Sequence, residues 1–112
     1  MAKFVKGEIV VIPFPFSDLS GSKRRPALVL ADLPGNDIIL CQITSQNSPK
    51  DPFAIALDAP DFASGALPVP SNIRPNRIFT ADKNLIVKSS GIISDALHRA
   101  VFDVVVGILK PQ

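Results

Sequence analysis

Short runs of β-branched residues, cut by proline, glycine or polar clusters, constrain this chain more than any other feature. Valine and isoleucine restrict χ1 and pack well on a pleated surface, while proline and glycine interrupt regular pairing, so the pattern predicts a mainly β domain. In the first run, Glu8 to Phe14, four successive residues are apolar: Ile9, Val10, Val11 and Ile12. A strand with one wet face alternates, so this one is expected to be covered on both faces, as in a central or barrel strand. At 112 residues and 46% hydrophobic content, the chain is sized for one core and one domain over residues 1–112.

Further strands are expected at Pro26 to Ala31 and Asp37 to Ile43, joined by a turn through Pro34-Gly35-Asn36. The segment Ser17 to Lys23 reads as a polar loop, Phe53 to Asp58 as another strand, and Pro60 to Pro70 as a surface excursion. Strands resume at Ser71 to Thr80, where Pro75 implies an edge or a bulge, and at Leu85 to Val87. One helix is expected from the N-cap Ser94 to about Leu109. Its stripe of Leu97, Val101, Val104 and Ile108 would face the barrel, and a second set, Phe102, Val105 and Leu109, widens the apolar surface so that part of it would meet another subunit.

The residue inventory removes several kinds of chemistry. The single cysteine, Cys41, lies in an apolar run and reads as a buried thiol, which leaves no disulfide scaffold. The single histidine, His98, falls on the expected helix and reads as structural or surface. Acidic residues are scattered singly, with no ligand spacing for a metal, so neither metal nor cofactor is expected. Gly-rich phosphate loops and a Gly-x-Ser-x-Gly elbow are missing. No apolar run approaches the ~18 residues of a membrane span, so a cytoplasmic protein is expected.

A net charge of +2 and a pI near 8.9 permit a polyanionic partner without requiring one. Local clusters carry more weight: Lys23-Arg24-Arg25 where a loop enters a strand, and Arg74 with Arg77 in a later strand. Guanidinium groups offer planar, multidentate donation to phosphate at any physiological pH, although solvated surface is an equally ordinary use of arginine. Thr44-Ser45-Gln46 sets three hydrogen-bonding side chains at a strand end. Such residues either satisfy turn backbone or hold a phosphate or ribose hydroxyl, and spacing leaves both uses open.

In order and spacing, Gly7-Glu8-Ile9-Val10, Arg25-Pro26-Ala27-Leu28-Val29, Ile43-Thr44-Ser45-Gln46, Thr80-Ala81-Asp82-Lys83 and Gly91-Ile92-Ile93 resemble the MazF/PemK toxins of type II toxin–antitoxin systems. The resemblance spans nearly the whole chain. It implies a compact SH3-like β-barrel with a C-terminal helix, a homodimer, and a metal-independent, sequence-specific endoribonuclease that cuts single-stranded RNA. Attack by the ribose 2′-hydroxyl would leave a 2′,3′-cyclic phosphate and a 5′-hydroxyl. The implied partner is an antitoxin with an acidic tail, with which such toxins also bind DNA. Carried over residue by residue, Arg25 and Thr44 take the catalytic positions, and Arg74 and Asn76 those of a further arginine and an aspartate in some members. Lys23, Arg24, Ser45, Gln46 and Arg77, from the polar and cationic clusters, are expected to line the RNA-binding groove with them.

Two departures stand out. Some members carry an aspartate where this chain has Asn76, and a histidine in the loop after the first strand, where this chain runs from Ser17 to Lys23 without one. Asparagine is no general base, so the general acid and base are unassigned. Two rival readings use the same fold: a non-catalytic SH3-like module binding RNA or peptide, and a CcdB-like gyrase inhibitor. The latter needs contacts at the chain end, where Lys110-Pro111-Gln112 offers no anchor.

Overall fold

The computed structural model describes residues 3–14, 23–46 and 51–111; most of the expected loop Ser17 to Lys23 lies outside them. Seven strands, β1 (Glu8–Phe14), β2 (Lys23–Asp32), β3 (Asp37–Ser45), β4 (Ile55–Leu57), β5 (Phe62–Gly65), β6 (Ser71–Asp82) and β7 (Lys88–Ile93), precede one helix, α1 (Asp95–Leu109). They form one antiparallel sheet in the order β4-β6-β3-β2-β1-β7-β5. The sheet curls into a half-barrel with the helix at its C-terminal end, the mainly β class expected from the sequence.

Strand β1 explains the curl. Ile9 belongs to one buried cluster with Leu28, Ile43, Ile73 and Val101, while Val10, Ile12 and Phe14 belong to a second with Ala27, Val29 and Leu40. Both faces of the strand are thus covered, as its unbroken apolar run requires. Phe14 and Phe79 close the second cluster edge to face, with ring centroids 5.2 Å apart.

The helix covers the first cluster. Ser94 accepts from the Leu97 N–H at 3.2 Å, capping the first turn, and Val101 is fully buried with Leu97 and Val105 packed beside it. Full burial of Val101 contributes roughly 1.5–3 kcal/mol. Val105 therefore faces the core, not the outer set, and Phe102, Val106 and Leu109 form the exposed apolar stripe.

Three expected elements differ. The proline-rich excursion contains a single 3-10 turn, Ala59–Asp61, and strand β5, which pairs with β7. Phe53 to Asp58 yields a strand only at Ile55–Leu57. In place of a strand at Leu85 to Val87 there is a 3-10 turn, Lys83–Leu85, and β7 starts at Lys88. Side-chain composition hid the strand: Lys88 and Ser89 are polar, yet their backbone pairs with Val11 and Val10 along the open edge of β1.

One irregularity positions the site. Along β3, Cys41 pairs with Ile78 and the next residue, Gln42, pairs with Arg74, so Pro75, Asn76 and Arg77 bulge out of the ladder. Pro75 has no N–H to offer, and a bulge here re-aims the side chains on either side of it.

Candidate active site at the strand ends

The open ends of β2 and β3 meet at one cavity. The β2–β3 ladder runs to Ala27↔Gln42, and the same register carried two residues further sets Arg25 across from Thr44. Both residues line a cavity of about 440 Å³ together with Arg24, Ser45, Ser71 and Lys88. Val11, Ile43, Leu67 and Val69 supply its apolar wall. Among the described residues, no carboxylate or imidazole lines it.

Arg25 is half-buried, and its Nε is buried with no hydrogen-bond partner among the described residues. Leaving such a donor unpaired costs about 1–3 kcal/mol, which marks a donor held for something other than the fold. Arg24 is exposed on the same rim, and Lys23 opens β2 as an exposed residue away from the cavity lining.

Behind Thr44 sits a group that the sequence order hides. Arg74 donates from Nε to Thr44 Oγ1 at 3.0 Å and from Nη1 to Asp51 Oδ2 at 3.0 Å. The Arg74 and Asp51 side chains are 5% and 8% exposed, so this ion pair is withdrawn from solvent. The Phe53 N–H, the Arg74 guanidinium and the Asn76 side chain all donate to Asp51, and together they hold its carboxyl below its ordinary pKa against the opposing effect of burial. Arg74 thus turns inward instead of lining the cavity. Asp51 had no distinguishing signal in the sequence, because its side-chain partners, Arg74 and Asn76, lie far along the chain in β6.

The remaining expected residues divide. Ser45 lines the cavity. Gln46 turns away, donating to Asp58 Oδ1 at 3.1 Å and to the Ser71 carbonyl at 3.2 Å. Arg77 crosses the bulge to donate to Gln42 Oε1 at 3.3 Å, and Asn76 is exposed beside Asp51. Cys41 is buried between the strands, and burial pushes its thiol up to about 12, so it is no nucleophile. A larger cavity of about 720 Å³ beside α1 is lined by Lys6, Leu30, His98, Val101 and Phe102, and gathers none of the strand-end cations of β2. His98 therefore stands apart from Arg25 and Thr44. Among the described residues no helix is long and apolar enough to cross a membrane.

Comparison with known proteins agrees in fold along the whole chain. An endoribonuclease in complex with its cognate antitoxin from a mycobacterial species is similar with a TM-score of 0.74 at 16% identity, over 98% of this chain and 99% of that one. An endoribonuclease from a mycobacterial species gives 0.72 at 16% identity, over 97% and 93%. A MazE-MazF structure from Deinococcus radiodurans gives 0.74 at 20% identity, over 96% of each chain. No curated protein sequence matches at a significant level. The family model described as PemK-like, MazF-like toxin of type II toxin-antitoxin system matches residues 5–108, and the chain belongs to that family.

Proposed function

We propose that this protein is a toxin that cleaves single-stranded RNA at the Arg25–Thr44 cavity, without a metal ion and by attack of a ribose 2′-hydroxyl on the adjacent phosphorus. The observation that carries the reading is the buried, unpartnered Nε of Arg25 in a cavity that Thr44 also lines. A guanidinium with an open donor suits a phosphate that gains negative charge as the phosphorane forms. The O2′–P bond forms and the P–O5′ bond breaks, which leaves a 2′,3′-cyclic phosphate and a 5′-hydroxyl.

Arg25 binds the non-bridging oxygens and assists proton movement by holding the reacting oxygens together, while Thr44 donates to the same phosphate. With no carboxylate or imidazole on the described lining, water takes the 2′ proton and returns one to the 5′ oxygen. Arg24, Ser45 and the exposed Lys23 and Arg77 guide the flanking nucleotides. Two copies assemble through the exposed helix stripe of Phe102, Val106 and Leu109. The antitoxin lays an acidic tail across the cationic rim, and together they bind DNA. The protein acts on messenger RNA in the cytoplasm.

The test is incubation of the purified protein with a defined RNA in EDTA, followed by analysis of the product ends. Cyclic phosphate and 5′-hydroxyl ends are expected. Products with 5′-phosphates, or activity that EDTA abolishes, contradict the mechanism.

A further inference from the structure

Asp51 lies 23 residues before Arg74 in the chain, and its carboxylate accepts at both oxygens. Oδ1 accepts the Phe53 N–H at 2.9 Å, and the Ala54 N–H closes the same turn on the Asp51 carbonyl at 3.1 Å. Oδ2 then faces Arg74 Nη1 at 3.0 Å. A guanidinium is planar, so fixing Nη1 on Asp51 also fixes where its Nε points. That direction is Thr44 Oγ1, again at 3.0 Å.

The consequence falls on the Thr44 hydroxyl, which carries one O–H and two lone pairs. Its oxygen accepts from a cationic N–H, so its own hydrogen is turned away from Arg74 and is free to donate elsewhere. Thr44 lines the cavity that Arg25 shares. Accepting from a charged group also polarises the hydroxyl and strengthens it as a donor.

We propose that Asp51 is a positioning residue: through Arg74 it sets the Thr44 hydroxyl as a donor aimed at a phosphate oxygen in the cavity. This rests on the ribonuclease reading above. It also gives the acid in this neighbourhood a task other than proton transfer, because Asp51 does not line the cavity and touches the reaction only through two other side chains. If the pair merely pinned the 51–54 turn to β6, its loss would act on stability and be independent of Thr44.

Two measurements separate these possibilities. The first is single-turnover cleavage of a defined RNA by wild type, Asp51→Ala, Asp51→Asn, Thr44→Val and the double variant Asp51→Ala/Thr44→Val. Asp51→Ala is expected to slow cleavage roughly ten- to a hundredfold, with RNA affinity changed less than about threefold. Asp51→Asn keeps an acceptor for the Phe53 N–H or for Arg74, though its single carbonyl oxygen cannot replace both carboxylate oxygens. It is expected to lose less stability than Asp51→Ala and to cleave at a rate between wild type and Asp51→Ala, so it carries the test if the alanine variant does not fold. The double variant is expected to be no slower than Thr44→Val alone. Losses that multiply, or an Asp51→Asn enzyme at wild-type rate, overturn the proposal.

The second measurement needs no catalysis. The Arg74 Nε–H resonance is expected to be sharp and slow to exchange in wild type, and shifted or lost in Asp51→Asn and in Thr44→Val. A signal indifferent to Asp51 overturns the proposal whatever the protein does to RNA. Intact RNA alongside the expected NMR behaviour instead contradicts the ribonuclease reading alone.

Discussion

Arg74 Nε donates to Thr44 Oγ1 at 3.0 Å across 30 residues of sequence, and Arg25 shares the Thr44 cavity while its own Nε has no partner among the described residues. The two arginines therefore do opposite things for the fold. One is tied into it and the other is held open.

That contrast predicts stability effects of different size. Arg74→Met leaves Asp51 buried without its counter-ion and is expected to cost about 3–5 kcal/mol. Arg25→Met removes a buried, unpartnered donor and is expected to leave stability equal or up to about 1 kcal/mol higher. Chemical denaturation of both variants measures this; equal losses would make Arg25 part of the scaffold.

Acid sensitivity follows from two carboxylates. Asp32 lies below its ordinary value of 3.8, chiefly through the Lys83 hydrogen bond and then the Phe4 N–H, and Asp51 is lowered chiefly by the Phe53 N–H and then by Arg74. A depressed folded pKa stabilises above the unfolded value and is lost as pH falls through the folded one. Stability is thus expected to be flat in these groups from neutral pH to about 5 and to decline below about 4. Thermal scans across that range check it, and Asp51→Asn should flatten the decline.

Much of this was legible in the sequence, for identifiable reasons. Four consecutive apolar residues in β1 announced two-sided burial and Ser94 announced the helix start, whereas Arg25 and Thr44 lay within polar clusters at strand ends from which only the family resemblance singled them out. Strand β5 did not, because Ala63, Ser64 and Gly65 have little β propensity. Its pairing depends on a backbone approach in which a Cβ at Gly65 would overlap the Ser90 carbonyl and one at Gly91 the Ser64 carbonyl. Asp51 was equally hidden, since its ion-pair partner Arg74 lies 23 residues further along the chain, in β6.

The β5–β7 crossing can be tested directly. Gly65 and Gly91 have φ of +78° and +152° and no room for a methyl group, whereas Gly35, also at +78°, faces open space. Gly35→Ala is expected to cost about 1 kcal/mol for its backbone conformation alone, and Gly65→Ala or Gly91→Ala clearly more. Equal melting temperatures for the Gly35 and Gly65 variants would show that the strands part without penalty.

His98 lines the cavity beside α1 and not the one holding Arg25. Cleavage by His98→Ala is therefore expected at close to the wild-type rate. A variant that no longer cleaves while keeping its melting temperature would put the histidine into the chemistry.

The central claim is that Arg25 and Thr44 act on one phosphate, and single-turnover cleavage of a defined RNA in EDTA by wild type, Arg25→Ala, Arg25→Lys and Thr44→Val tests it most directly. Removing either donor is expected to slow cleavage by about 10²–10³-fold. The Arg25 variants should melt within a few degrees of wild type, whereas Thr44→Val, which leaves Arg74 Nε without its acceptor, should melt lower. Arg25→Lys should also be impaired, because an ammonium cannot supply the planar, forked donation of a guanidinium. Cleavage at the wild-type rate by Arg25→Ala or by Thr44→Val would contradict the account.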